Sequence, residues 1–294
     1  MLALGNFDGL HRGHMKIIER VHRTAEERGA TPVVLTFDPH PTRVVRPDKA
    51  PRVLMTDAQK IEVLAAAGIL GVAIVRFTAE MSRWEPERFV RLVLVEWLGV
   101  SEVWVGGNFL FGRDRSGTFA VLRGLGDQYG FRADKIDPLC VRDAVVSSTR
   151  VRRLLAEGRV DESGVLLGRH FYIDGEVVGG DERGRELGFP TANLRTANEM
   201  VPPSGVYATI VRTAEGLQPA VTNIGVRPTF ASGGGVSIET HLLQGGRDLY
   251  GAHLRLYFVQ RLRDEQAFAS ADALRARIAE DCREARALFG QLSV

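Results

Sequence analysis

The stretch MLALGNFDGLHRGH, residues 1–14, contains an apolar run, a glycine-rich turn and the first residues of an amphipathic helical pattern. A strand that leads through such a turn into a helix offers backbone N–H groups and the positive end of the helix dipole to an anion. His11 and His14 add two imidazoles at the same helix start. The combination favours chemistry at the α-phosphate of a nucleotide, whereas an isolated histidine pair more often contacts only local backbone.

Length and composition bound the possible functions. A chain of 294 residues is expected to form about two domains of roughly 150 residues each. The net charge is only +2, which disfavours a general nucleic-acid or anionic-membrane surface. Cys140 and Cys282 lack metal-ligand spacing, so we expect buried, inert thiols in a reducing compartment. No apolar run approaches the ~20 residues of a membrane span, and we predict a cytoplasmic protein with no membrane or nucleic-acid partner.

The first half of the chain alternates helical and strand patterns. Helices are predicted over residues 15–29, 56–68 and 86–98, and strands over residues 31–37, 72–77 and 103–105. This alternation is typical of a parallel sheet covered by helices on both faces. The first apolar run, residues 1–4, is short for a strand. We therefore expect further residues upstream, whose lack would weaken an edge of the sheet.

The second half has a different pattern. Helices over residues 147–158 and 160–167 precede five short strand patterns, and a terminal helix follows over residues 270–288. The strands are predicted over residues 171–178, 205–212, 218–224, 236–243 and 252–259. Short strands separated by glycine and proline turns indicate an antiparallel barrel or sandwich.

Two further motifs in the first half could bind phosphate. Ser147-Ser148-Thr149-Arg150 begins a helix, where hydroxyls and a guanidinium can hold phosphate oxygens. Asn108 lies in a glycine-rich loop after the strand at 103–105, where it could reach a phosphate or ribose. For the serine-rich motif simple N-capping is equally probable, and for Asn108 turn geometry is an equal alternative.

Two motifs in the second half point to a second phosphate site. In GRELGFPTAN, residues 184–193, Thr191 and Asn193 share one face of an extended segment and can both point to Mg²⁺ or a phosphate. Glu239 and His241 share a face of a predicted strand, and a carboxylate there can accept a proton from an attacking hydroxyl. The alternatives are a glycine-proline turn with incidental polar residues and a solvated strand face.

The first half of the chain resembles the FMN adenylyltransferase module of prokaryotic bifunctional riboflavin kinase/FAD synthetases. The motifs that carry this resemblance are, in order, GNFDGLHRGH, TFDPHP, VGGNFLFG and VSSTRVRRLL. The second half of the chain is similar to the riboflavin kinase module of the same family. The motifs that carry this similarity are GFPTANL, PPSGVYA, TNIGVRPTF and ETHLL with DLYG. The resemblance implies a Rossmann-like nucleotidyltransferase domain over residues 1–163. It also implies a small antiparallel six-stranded β-barrel with a terminal helix over residues 164–294.

The resemblance implies phosphorylation of riboflavin to FMN at the barrel and adenylylation of FMN to FAD, with release of pyrophosphate, in the first domain. ATP is the co-substrate and Mg²⁺ the cofactor. His11 and His14 would stabilise the α-phosphate, Glu239 would be the kinase base, and Thr191 and Asn193 would hold Mg²⁺. The implied ATP- and flavin-binding residues are Gly5, Phe7, Asp8, Gly13, Asn108, Ser148, Thr149, Arg150, Gly184, Gly188, Pro190, Thr191 and Asn193.

The sequence departs from the family pattern at residues 244–247, where an acid and an aromatic residue are replaced by Gln244-Gly245-Gly246-Arg247. We expect retained activity with altered loop packing or substrate affinity, and disorder at residues 233–235. Two alternatives remain: only one activity is retained, or the protein is a nucleotide- or RNA-binding regulator, which the near-neutral charge disfavours. A monomer or weak homo-oligomer is expected.

Overall fold

The computed structural model describes residues 1–180, 184, 187–226, 236–245 and 249–291. Contacts divide the chain into two compact units, Met1–Ser148 and Thr149–Val294. The domain boundary predicted between residues 163 and 164 stays a prediction. The loop at 233–235 and residues 246–247 of the atypical loop lie outside the described residues.

The first unit contains a five-stranded parallel sheet, as predicted. Its strands are β1 (Leu2–Leu4), β2 (Val33–Asp38), β3 (Gly71–Arg76), β4 (Glu102–Gly106) and β5 (Arg132–Ile136). Their order across the sheet is β3-β2-β1-β4-β5, and every neighbouring pair is parallel. The short β1 is the central strand, so the expectation that its length would weaken a sheet edge is wrong. Hydrogen bonds to β2 and β4 hold it on both sides.

Helices cover both faces of this sheet because β1 alternates its side chains between two cores. Leu2 and Leu4 pack in a cluster with Phe89, whereas Ala3 packs in another cluster with Ile18. The helices of the unit are α1 (Arg12–Arg28), α2 (Pro41–Val45), α3 (Asp57–Ala66), α4 (Pro86–Phe89), which continues as a π-helix (Val90–Trp97), and α5 (Phe119–Tyr129). Short 3₁₀ turns lie at Pro47–Lys49, Met81–Arg83 and Arg113–Arg115. Two short antiparallel strands, β6 (Cys140–Val141) and β7 (Ala144–Val145), form a separate hairpin.

The second unit contains a closed six-stranded antiparallel barrel, which confirms the predicted barrel with its terminal helix. After α6 (Ser148–Ala156) and α7 (Val160–Leu167), the strands run in the order β10-β11-β12-β9-β8-β13. They are β8 (Phe171–Val178), β9 (Ala192–Thr196), β10 (Gly205–Thr213), β11 (Gly216–Val226), β12 (Val236–Leu242) and β13 (His253–Arg263), followed by α8 (Ala271–Gln291).

Helix α8 packs on the outer face of the barrel. Cys282 and Ala285 of the helix contact a cluster that includes Val206 and Val221. The Arg263 guanidinium donates to the buried Asp281 carboxylate at 2.8 and 2.9 Å, which fixes the helix on β13. Burial raises the pKa of the Cys282 thiol.

The prediction that both thiols are buried is wrong for Cys140, which is exposed. It lies in the two-residue strand β6, which pairs only with the two-residue strand β7 among the described residues, and so short a hairpin buries little surface. No helix among the described residues is long and apolar enough to cross a membrane.

Three threonine hydroxyl groups hydrogen-bond to one another in the interior of the barrel. Their positions show which residues of the same strands face outward. The Thr222 Oγ1 lies 2.8 Å from that of Thr209 and 2.9 Å from that of Thr240, and all three side chains are buried. Because side chains alternate along a strand, the neighbours of Thr222 and Thr240 face the outside of the barrel. Asn223 and Glu239 therefore lie on its outer face.

Candidate functional sites

The loop between β1 and α1, residues 5–11, lies at the carboxyl end of the central strand. The chain passes from β1 to β2 on one side, and β4 pairs with β1 on the other. The loop after β4, which begins at Gly107, therefore leaves the neighbouring strand at the same edge. In open α/β sheets ligands bind at this point of reversal in the strand order.

Three other segments of the chain hold the β1–α1 loop by hydrogen bonds. The Thr36 hydroxyl donates to the Asn6 carbonyl oxygen at 2.9 Å, and the Leu54 N–H donates to the Asp8 carboxylate at 2.9 Å. The Ser148 hydroxyl donates to the Asp8 carbonyl oxygen at 2.8 Å. The main chain of the loop is thus fixed before any ligand arrives, which is what binding a phosphate through backbone groups requires.

A buried ammonium group lies behind this loop. Lys60 of α3 is 6% exposed, and its Nζ lies 3.5 Å from the Thr36 hydroxyl and 3.4 Å from the Asp57 carboxylate. Since Thr36 uses its proton on Asn6, it accepts from Lys60. The lysine thereby supports the loop through Thr36, and the motifs contain no signal for this contact.

Phe7 and Asp8 were predicted to bind nucleotide or flavin, and the structure places both side chains in the protein interior. Phe7 is 1% exposed and belongs to the same hydrophobic core as Leu10, while the Asp8 carboxylate accepts from Leu54. Phe7, Gly9 and Leu10 have φ angles of 46°, 81° and 39°, which form the tight turn. Phe7 and Asp8 could therefore contact a ligand only through their main chain.

The two histidines form a stacked pair at the start of α1. His11 is the N-cap residue, and its Nδ1 accepts a hydrogen bond from the His14 N–H at 3.2 Å. The centroids of the two imidazole rings are 3.6 Å apart, and the Phe7 ring makes a T-shaped contact with His14 at a centroid distance of 5.2 Å. Since Nδ1 of His11 is an acceptor, its neutral ring carries the proton on Nε2. His11 therefore does contact local backbone, as the simpler alternative stated, and that contact also orients its donor.

Gly13 allows the His11 ring to adopt this position. A Cβ atom at residue 13 would lie 3.2 Å from Cε1 and 3.3 Å from Nδ1 of His11. Gly13 is thus placed against a histidine rather than at an open surface.

Replacing Gly13 with alanine is expected to slow FAD formation from FMN and ATP by about threefold to thirtyfold, because the methyl group displaces the His11 ring by a few tenths of an ångström. Alanine favours the helix, so a loss of helix stability would not explain the result. Gly124→Ala is the matched control, since a Cβ there has no atom within 4 Å. Equal rates in both variants would contradict the expected placement of His11.

Asn108 lies exposed directly after β4, at the same sheet edge as the histidine loop. Its neighbours hold it there: the Gly107 N–H donates to the Ile136 carbonyl oxygen at 2.9 Å, and Phe109 stacks on Phe111 at 5.5 Å. Ser148 contacts the β1–α1 loop directly. Thr149 and Arg150 follow Ser148 in α6 and belong to the second unit.

On the outer face of the barrel, three polar residues form a row across neighbouring strands. Asn193 of β9 lies directly opposite Glu239 of β12, which lies opposite Asn223 of β11. Side chains in such register lie about 5 Å apart at Cβ. The structure therefore brings together the predicted Asn193 and Glu239 and adds Asn223, which the motif analysis missed.

The predicted glycine-rich motif surrounds the start of this row. The His241 Nδ1–H donates to the Pro190 carbonyl oxygen at 2.9 Å, which fixes the backbone before Thr191. A Cβ at Gly184 would lie 3.0 Å from the Thr191 hydroxyl, and one at Gly180 would lie 2.0 Å from the Asn193 amide. Gly188 is exposed with φ 83°. The backbone of Gly184 therefore packs against the Thr191 side chain, and that of Gly180 packs against the Asn193 side chain.

Ser237 is a second residue that the motif analysis missed. Its hydroxyl donates to Oε1 of Glu239 at 2.9 Å. A polar residue two positions before Glu239 shares its face, so strand alternation could have identified it. For the contacts of Thr36 and Leu54 no comparable signal exists.

The family model described as FAD synthetase matches residues 1–150, and the one described as riboflavin kinase matches residues 167–289. The chain is 39% identical over 291 residues to the bifunctional riboflavin kinase/FMN adenylyltransferase of Escherichia coli K12, covering 99% of this chain and 93% of that protein. The chain belongs to this bifunctional family. It is a transferase whose FAD synthetase region precedes its riboflavin kinase region, as predicted. Enzymes of the family use ATP and flavins as substrates.

Other relatives support the same assignment. The bifunctional enzyme of Pseudomonas fluorescens is 40% identical over 286 residues, with 97% of this chain and 92% of that protein covered. The Bacillus subtilis enzyme is 35% identical over 298 residues, with coverages of 99% and 93%. A solved structure of a protein named a macrolide-efflux protein, from Streptococcus pneumoniae, matches with TM-score 0.88 and 26% identity, over 97% of this chain and 93% of that one.

Proposed function

We propose that the β1–α1 loop is the FMN adenylyltransferase centre. An oxygen of the FMN phosphate attacks the α-phosphorus of ATP, the bond to the β-phosphate breaks, and pyrophosphate leaves. His11 and His14 would donate to the α-phosphate oxygens as negative charge builds in the transition state. Backbone N–H groups of Gly5 to Gly13, with Asn108, Ser148, Thr149 and Arg150, would bind the remaining phosphates and the flavin phosphate.

The proposed kinase centre is the row on the outer face of the barrel. Glu239 accepts the proton of the riboflavin 5′-hydroxyl as that oxygen attacks the γ-phosphorus of ATP, and ADP leaves. The single observation that carries this assignment is that Glu239 lies directly opposite Asn193, which belongs to a different motif. Two motifs far apart in sequence thus share one half-buried surface.

The donor atoms beside Glu239 fit Mg²⁺. The Thr191 hydroxyl and the Asn193 amide oxygen are hard oxygen ligands, and Mg²⁺ commonly takes few protein ligands and completes its shell with phosphates and water. Among the described residues no group of three or more His, Cys, Asp or Glu side chains could hold a metal. On the chemistry of these oxygens, Thr191 and Asn193 would hold Mg²⁺, which when bound neutralises phosphate charge. Gly184, Gly188 and Pro190 would contact ATP through backbone.

The test is a time course with purified protein, riboflavin, ATP and Mg²⁺, in which the flavins are separated. We expect FMN to appear first and FAD after it, and excess EDTA to stop both steps because each uses the metal complex of ATP. A reaction without any FMN would contradict the kinase assignment. FMN that accumulates without FAD would show that only the kinase activity is retained.

The association state and the compartment stay predictions. A monomer or weak homo-oligomer is what we propose, and light scattering after size-exclusion chromatography measures it. Cytoplasmic localisation is proposed on the cysteine usage of the sequence.

A further inference from the structure

We propose that Ser237 is a positioning residue for Glu239 in FMN formation. The inference rests on the proposed role of Glu239 as the base that receives the riboflavin proton. Ser237 would act through Glu239 and would not touch the substrate.

The hydrogen bond between these residues carries the proposal. Ser237 is 8% exposed and lies two positions before Glu239 on β12, on the same face of the strand. Its hydroxyl donates to Oε1 of Glu239 at 2.9 Å. Within the described part of the chain, no other hydrogen bond to this carboxylate is found. Oε1 thus has one lone pair in use, whereas Oε2 accepts no hydrogen bond from a described residue.

The neighbouring strand leaves Ser237 free to serve Glu239. Ser237 lies opposite Gly225 of β11, which has no side chain to compete for the hydroxyl. The space above Gly225 is taken by Glu265, whose Oε1 would lie 2.8 Å from a Cβ there. On the same face, the His241 imidazole donates to the Pro190 carbonyl oxygen, and Arg195 of β9, two positions after Asn193, pairs with Glu176. None of these groups hydrogen-bonds Glu239, and within the described part of the chain Ser237 is the residue that does.

A base on a long, flexible side chain is effective only when it is held in the reactive geometry. Glutamate has three rotatable side-chain torsions, so a carboxylate on it needs a restraint to stay in one position. The hydrogen bond from a buried hydroxyl on the same strand provides that restraint. It should affect the chemical step and leave substrate binding unchanged.

The experiment compares Ser237→Ala and Ser237→Thr in the full-length protein, measuring kcat and KM for FMN formation. Ser237→Ala is expected to lower kcat by about tenfold, because a hydrogen bond to a charged group is lost. The KM values for riboflavin and ATP should stay within about twofold of the parent values. Ser237→Thr should restore kcat, since threonine keeps the hydroxyl and suits a strand.

Glu239→Gln is measured alone and combined with Ser237→Ala. The double variant should be no slower than Glu239→Gln, because the serine then has no base to position. If Glu239→Gln keeps full activity, the proposed function itself is wrong. If Glu239→Gln is slow but Ser237→Ala matches the parent, or if Ser237→Thr fails to restore kcat, the positioning role is wrong. The thermal unfolding of each purified variant, compared with that of the parent protein, reports that the barrel is folded.

Discussion

Glu239→Gln is expected to lower the rate of FMN formation from riboflavin and ATP by about 10²- to 10⁴-fold, the usual contribution of a general base. Glutamine has the same shape and its amide oxygen can still accept from Ser237, so the surrounding strand should remain in place. What is lost is the ability to take the proton from the 5′-hydroxyl. The measurement is the steady-state rate of FMN formation, with KM determined separately.

FAD formation from supplied FMN should be unchanged in this variant, because the residues proposed for that reaction lie outside the barrel strands. Glu215→Gln is the matched control, since Glu215 lies exposed in the turn between β10 and β11. It should form FMN at the parent rate. A Glu239→Gln variant that retains more than about a tenth of the parent kcat would rule out Glu239 as the base.

His14→Ala is expected to lower the rate of FAD formation from FMN and ATP by about 10²- to 10³-fold, because a donor to the developing charge on the α-phosphate is removed. His14 stacks on His11 with their centroids 3.6 Å apart, so the change also removes a ring that holds His11 in place. The effect should appear mainly in kcat. Its measurement is FAD release under saturating ATP and FMN.

His22→Ala is the control on the same helix. The His22 imidazole lies two turns along α1, where Nδ1 is 3.6 Å from Glu26 and the ring covers Gly68. Its loss should leave FAD formation close to the parent rate. FMN formation should persist in both variants. If His14→Ala forms FAD as fast as His22→Ala, the stacked pair is structural and the adenylyl site must be sought elsewhere.

Much of the fold is predictable because apolar periodicity is a local property. The helix predicted over residues 160–167 and the strand predicted over 171–178 match α7 and β8 in full. Strand β5 was missed because Arg132, Asp134 and Lys135 interrupt its pattern on an edge of the sheet. Strand β9 was missed as a strand because it spans only five residues beside the glycine-rich motif.

The residues of the candidate sites are also of two kinds, those that the sequence identifies and those that it does not. Motif residues such as His11, His14, Thr191, Asn193 and Glu239 are recognisable because their spacing along the chain is short and characteristic. Residues that support them come from other segments: Thr36 and Leu54 hold the first loop, and Asn223 flanks Glu239. Such contacts depend on register and packing between distant segments, which spacing along the chain does not express.

The sequence by itself determined the two kinds of architecture and the family, and it named the residues of each candidate site, because these follow from local periodicity and short motifs. Only the tertiary structure decided that β1 is the central strand, that the Phe7 and Asp8 side chains face the interior, and that Ser237 holds Glu239. The reason is physical. Strand order, burial and the direction of a side chain are set by partners that meet only when the chain has folded.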